Sequence, residues 1–187
     1  MQSTFSENEI SHIKSIKQKM MQCIEDALFA FPMELSNFII DNCTLSGGAT
    51  ASIFHGDLPN DWDLYLSSRT DIEVFNEIMK NPVYEKYIAD VVEKYSTMGT
   101  RGGKLITANA VTFQNKIQVI TMQTSDQLMQ FDMIHCMPRL VLKNGVLYIS
   151  RAQYDSIRDK KIELNTHVDA ARLLSWRIEK YKNRGWK

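Results

Sequence analysis

Apolar residues fall on two different periods along this chain, and the switches between them mark out its elements. Ile10, Ile13, Met20, Ile24 and Leu28, with the stem of Lys17, recur at helical spacing and predict a helix over about 7 to 30. Ser6 with Glu9 reads as its capping box. Leu35, Phe38 and Ile39 predict a shorter second helix after Pro32. Cys43-Thr44-Leu45 is a short β-like run, Ala49 to Phe54 a short helix, and HGDLPN at 55–60 a polar turn. Asp61 to Leu66 then alternates strictly, as D-W-D-L-Y-L, and reads as a strand.

Thr70 and Asp71 suggest a cap for a helix reaching about Lys80, and Pro82 opens another to about Tyr95. The period-2 pattern returns in Leu105 to Ala108, Ala110 to Phe113, Ile117 to Met122 and Phe131 to Cys136, with a helical turn over Ser125 to Gln130. Leu140 to Leu142 and Val146 to Ile149, joined by Lys143-Asn144-Gly145, carry an Asn-Gly hairpin signal. Helices over about 151 to 159 and 167 to 183 close the chain. Neither an internal repeat nor a low-complexity linker interrupts it. The order predicts an α+β (mixed α/β) fold: a partly antiparallel sheet flanked by N- and C-terminal helices. At 187 residues we expect one domain, with a helical segment over 1–42, a core over 43–150 and C-terminal helices over 151–187.

Charge changes this picture little. Lys and Arg number 22 against 22 Asp and Glu, so any basic surface must be local. One such region lies at the C-terminus, where Arg172, Arg177, Lys180, Lys182, Arg184 and Lys187 face a single acid, Glu179, with Trp176, Tyr181 and Trp186 between them. Ala171, Leu174, Ile178 and Tyr181 make an apolar stripe there. The element reads either as a packed amphipathic helix with a solvated end or as a holder of triphosphate or RNA, with Arg177 and Lys180 toward the cleft. Cys23, Cys43 and Cys136 are odd in number and widely spaced, which speaks for reduced core thiols. The first twenty residues lack a signal-peptide core, and no apolar run approaches the ~20 residues that span a bilayer. We therefore expect a cytoplasmic protein without a membrane partner. His55 and His135 have no metal-triad spacing and read as ordinary surface or core histidines.

The stretch LSGGATASIFHGDLPNDWDLYL carries the candidate chemistry. Gly47-Gly48 lets the backbone come close to a bulky ligand, and free N–H groups at a helix start suit a phosphate. Ser46 adds a hydroxyl. Asp61 and Asp63, two residues apart on a strand, point to one face, where their repulsion is relieved by a cation. A phosphate cradle beside two carboxylates is the layout for moving a nucleotidyl group. The loop GTRGGK at 99–104 does not match a P-loop and reads better as a plain loop than as a phosphate cradle. Thr107 and Asn109 alternate, and either contact ribose or base or are solvated sheet residues.

Gly47-Gly48, a short helix, a polar turn and Asp61-x-Asp63 resemble the signature of the DNA polymerase β-like nucleotidyltransferase superfamily. TANAVTFQNKIQVIT, QFDMIHC and RIEKYKNRGWK are similar to small stand-alone nucleotidyltransferase-like proteins of large phage and viral genomes. The resemblance implies a palm-type sheet and metal-dependent transfer of a nucleoside monophosphate from an NTP to an acceptor hydroxyl. Mg²⁺, or Mn²⁺ in its place, would sit on Asp61 and Asp63. Ser46, Gly47, Gly48, Asn109, Arg177 and Lys180 would bind the nucleotide. The acceptor could be an RNA such as tRNA, a protein or a small molecule, in the host cytoplasm if the chain is phage-encoded.

The superfamily also uses a third acid on a neighbouring strand. In the strand Lys116 to Ile120 that position is Gln118, which cannot act as a base near neutral pH. Asp132, in Phe131-Asp132-Met133, is the preferred alternative. If neither completes the site, the resemblance implies a degenerate fold that binds nucleotide, RNA or protein without turnover.

Overall fold

A computed structural model of the chain describes residues 4–91, 103–131, 133–165 and 175–187. Helix α1 (Glu7–Leu28) starts at the expected capping box: the Ser6 hydroxyl accepts from Glu9 N–H at 3.3 Å, and the Glu9 carboxylate accepts from Ser6 N–H at 2.8 Å. Its buried residues, Ile16, Met20, Ile24 and Leu28, follow one stripe. Helix α2 (Met33–Asn42) adds Leu35 and Ile39 and runs directly into strand β1 (Cys43–Ser46). Helix α3 (Ala49–Phe54), strand β2 (Trp62–Leu66) and helix α4 (Arg69–Ile78) follow. Strands β3 (Ala110–Thr112), β4 (Ile117–Ile120), β5 (Arg139–Val141) and β6 (Val146–Tyr148) lead to helices α5 (Arg151–Arg158) and α6 (Ser175–Lys182).

The six strands form one sheet in the order β3-β4-β2-β1-β5-β6. Only the β2–β4 pair is parallel, so the sheet is mostly antiparallel and the α+β class expected from the sequence holds. Alternation gives the sheet two unlike faces. Trp62, Leu64 and Leu66 join Leu45, Ile117, Val119 and Leu140 in the main core against α1, α2 and α4. The opposite face carries Asp63 and Tyr65 and meets a smaller cluster of Ala51, Met133, Cys136, Ile157, Tyr181 and Trp186. Burying Tyr181 and Trp186 stabilises the docking of α6 by about 2–3 kcal/mol each. The chain end is also stitched to the body: Lys187 N–H donates to Lys160 O at 2.8 Å, and Ile162 N–H to Lys187 O at 2.7 Å.

Several elements differ from the sequence expectation. The segment opened by Pro82 is a 3-10 turn over Pro82–Tyr87 rather than a helix to Tyr95; Ile88 then pairs as an isolated bridge with Phe113, and 92–102 lie outside the described residues. Helix α4 is capped by Ser68, which accepts from Asp71 N–H at 3.1 Å, not by Thr70 or Asp71. Residues Leu105 to Ala108 form a single bridge, Ile106 to Val111, and lead into a bend. There the Thr107 hydroxyl accepts from Asn109 and Ala110 N–H. Within the run expected as a strand over Phe131 to Cys136, Ile134–Cys136 is a 3-10 turn with His135 and Cys136 both buried, and Asp132 lies outside the described residues. Both edges of β2 are taken, by β1 and β4. The final helix is described from Ser175 onward; 166–174 lie outside the described residues. The cysteines are free thiols, with Cys43 and Cys136 buried. Among the described residues no helix is long and apolar enough to cross a membrane.

Candidate functional site

A cavity of about 390 Å³ opens on the polar sheet face, under α6. Asp63 on β2 and Gln118 on β4, at paired positions, line it, and the same row continues across the sheet to Ser46 on β1 and Thr112 on β3. Asp61, exposed and just before β2, lines the cavity together with Asp63 and Gln118.

The turn after β1 is shaped by Asp63. Gly47 has φ +87°, and a Cβ there would lie 2.8 Å from Asp63 Oδ2. Both facts demand glycine. Gly47 N–H donates to Cys136 O at 3.0 Å, which fixes the turn against the 3-10 segment. Gly48 sits under Tyr181, whose hydroxyl oxygen would be 3.2 Å from a Cβ at that position.

The Ser46 hydroxyl is not available to a ligand, contrary to the sequence expectation. Its side chain is fully buried, and its oxygen lies 2.8 Å from Pro138 O and 3.1 Å from Cys136 O. A single hydroxyl proton directed at two backbone carbonyls braces the turn from below. Asn109 is also not part of the cavity lining. It is exposed in the turn before β3, and its carbonyl accepts from Thr121 N–H and Met122 N–H. The sequence pattern misread a turn as a strand there, because the Thr107 hydroxyl takes over the local N–H groups.

Asp63 is half-buried, and burial pushes its carboxyl up to about 7. Neighbouring Asp61 pushes in the same direction, while Lys180 and Arg177 pull it down. These cations project from α6, and with Arg184 they line the cavity opposite the carboxylates. Arg177, Lys180 and Tyr181 recur at i, i+3 and i+4, one helical face, and Arg184 follows in the turn just beyond α6. Of these, Arg177 and Lys180 were expected at the cleft from the sequence. Tyr181 extends the same spacing. Tyr65, two residues beyond Asp63, shares its face and also lines the cavity, as strand alternation required. Burial pushes the Tyr65 and Tyr181 hydroxyls far up, so both stay protonated.

Asp132 lies outside the described residues; Phe131, just before it, lines the cavity. Gln118 occupies the strand position directly beside Asp63, and its Nε2 donates to Thr112 Oγ1 at 2.9 Å. Among the described residues no three His, Cys, Asp or Glu side chains gather as a metal set. His135, next to the cavity-lining Cys136, is itself fully buried, packed on Trp186 at 4.1 Å and Tyr181 at 4.3 Å between ring centroids. His55 is held by Ile157 O at 2.8 Å from its Nε2. Both histidines are packing elements, as expected. In the loop 99–104, Lys104 pairs with Asp90 at 2.7 Å, and 99–102 lie outside the described residues.

The model of a family described as Gabija anti-defense 2 family protein matches residues 6–160. No curated protein matches the sequence. Among solved structures, the chain is similar to a CCA-adding enzyme in apo form at TM-score 0.46 and 13% identity, over 82% of this chain and 45% of that one. It is similar to the Thermotoga maritima CCA-adding enzyme complexed with tRNA at TM-score 0.43 and 14% identity, over 75% and 35%. The Bacillus stearothermophilus CCA-adding enzyme in complex with CTP gives TM-score 0.40 and 13% identity, over 66% and 29%. The chain thus spans less than half the length of each of these structures.

Proposed function

The chain belongs to the Gabija anti-defense 2 family, and on that premise we propose that it acts against Gabija defence by metal-dependent nucleotidyl transfer. A nucleoside triphosphate is the donor, and an acceptor hydroxyl receives the nucleoside monophosphate. The new bond joins the acceptor oxygen to the α-phosphorus; the α–β bridging bond breaks and pyrophosphate leaves. On this reading the protein is phage-encoded and works in the host cytoplasm.

One observation carries the reading: Asp61 and Asp63 share a cavity with the glycine turn that Asp63 itself shapes and with the cations of α6. The two carboxylates are hard oxygen donors whose mutual repulsion a divalent cation relieves, so they fit Mg²⁺, or Mn²⁺ in its place, together with phosphate oxygens. Bound there, the ion would supply Lewis-acid polarisation of the phosphoryl group.

The chain's own residues do the rest. Arg177, Lys180 and Arg184 neutralise the triphosphate from above. Gly47 and Gly48 leave room for it against the floor. Tyr65 and Phe131 wall the cavity with aromatic surface suited to a nucleoside. Asp132, which follows Phe131, is the candidate acceptor of the hydroxyl proton. The acceptor is an RNA such as tRNA, a protein side chain or a small hydroxyl compound. Incubation of each α-labelled NTP with the protein and a lysate tests the reading. A labelled species should form with wild type and not with Asp63→Asn; equal labelling by both sinks it.

A second reading is favoured by Gln118. An amide in the strand position beside Asp63 supports a nucleotide-, RNA- or protein-binding module without turnover. Metal-independent binding of NTP without release of pyrophosphate on any acceptor would support it.

A further inference from the structure

We propose that Gln118 contributes its amide oxygen as the third donor of the cation site, and that the site holds its ion only once a nucleotide is bound. This rests on reading the cavity as a nucleotide site. Asp63 and Gln118 are paired residues of parallel strands, so their side chains leave the sheet on the same face, and both line the cavity with Asp61. Thr112, paired with Gln118 on the next strand, takes the amide nitrogen at 2.9 Å. With the nitrogen held there, the amide oxygen is the atom of Gln118 left for the cavity. Thr112 is the positioning residue.

The consequence lies in the charge of the donor set. Two carboxylates and a neutral amide give three oxygens with two negative charges. Arg177, Lys180 and Arg184 surround the same cavity and repel a cation. A small divalent ion that gives up water reluctantly binds such a set weakly by itself. The same three cations attract a triphosphate without any metal. Its phosphate oxygens then supply the negative charge and the remaining donors. A carboxylate at position 118 would make the set strong enough to load in advance; glutamine makes loading conditional on the nucleotide.

Calorimetric titration of the full chain with Mn²⁺, alone and with an NTP analogue carrying a methylene between the α- and β-phosphates, tests this. Wild type should bind Mn²⁺ at least about tenfold more tightly with the analogue present than without it. Gln118→Glu should tighten Mn²⁺ alone by at least about tenfold. Gln118→Leu should weaken Mn²⁺ in the ternary complex by roughly tenfold. Thr112→Val should weaken it in the same direction, and Thr112→Ser should restore it. The Thr112 pair keeps the test open should a position-118 variant fold poorly. Equal Mn²⁺ affinity in wild type and Gln118→Leu, or tight Mn²⁺ binding by wild type without nucleotide, overturns the proposal. Should the analogue bind neither with nor without Mn²⁺, the nucleotide reading falls. The comparison of wild type with Gln118→Glu in Mn²⁺ alone then still decides the role of Gln118: tightening supports it and an unchanged affinity overturns it.

Discussion

Gly47 and Asp63 fit together so closely that position 47 has no room for a side chain: a Cβ on Gly47 would stand 2.8 Å from Asp63 Oδ2, at a backbone φ of +87°. Gly47→Ala therefore meets two obstacles, a left-handed conformation that costs a non-glycine residue about 1–2 kcal/mol and a collision with the carboxylate. We expect a loss of about 2–4 kcal/mol in denaturant unfolding and loss of nucleotide binding. Gly48→Ala meets only the end of the Tyr181 side chain, at 3.2 Å, and should cost less than half as much. Equal losses in the two variants would contradict the fit described.

Asp63 is held at about 7 from an ordinary 3.8 by burial first and by Asp61 second. The native state therefore binds this proton more tightly than the unfolded chain does. The sign follows: stability contributed by Asp63 falls as pH rises from about 4 to about 7, then levels off. Asp63→Asn removes that dependence. Its stability advantage over wild type should grow from pH 4 to 7 and reach a plateau above, as measured by urea unfolding at each pH. An advantage that shrinks over the same interval would show that the carboxylate is stabilised, not penalised, by its site.

His135 works in the opposite direction. Burial, with Arg177 nearby, pushes its imidazole from 6.5 down to about 3, so the native state keeps it neutral where the unfolded chain is protonated. Stability should be fully present above about 6.5 and be lost as pH falls toward 3. Because His135 packs on Tyr181 and Trp186, the end of α6 is the part that should loosen. Trp fluorescence during acid titration reads this, and His135→Phe should remove most of the loss between pH 6.5 and 4.

The cations of α6 should matter to ligand more than to fold. Arg177→Ala and Lys180→Ala should each weaken metal-free NTP binding by roughly tenfold or more, since a charged hydrogen bond contributes about 1.5–3 kcal/mol. The dependence of affinity on salt should become shallower in both. Unchanged affinity in either variant would remove that residue from the site.

Much of this site was legible because its residues obey short periods. Asp63 and Tyr65 share a strand face by alternation, with Asp61 just before it, and Arg177, Lys180 and Tyr181 share a helix face. What failed was long-range. Ser46 sits in the right motif, yet Pro138 O and Cys136 O, some ninety residues away, claim its hydroxyl. Ile134 to Cys136 looks like part of a strand but forms a 3-10 turn, and its candidate partner β2 has no free edge. Ile88 carries a helical spacing with Tyr84, yet Phe113 draws it into a bridge. Pairing partners distant in the chain decide such cases, and local patterning does not contain them.

Pyrophosphate release tests the central claim most directly. With an acceptor-containing lysate, Mg²⁺ and NTP, wild type should release pyrophosphate, and Asp61→Asn combined with Asp63→Asn should abolish release while metal-free NTP binding persists. Release at the wild-type rate by the double variant would contradict the assignment of these two carboxylates to the chemistry.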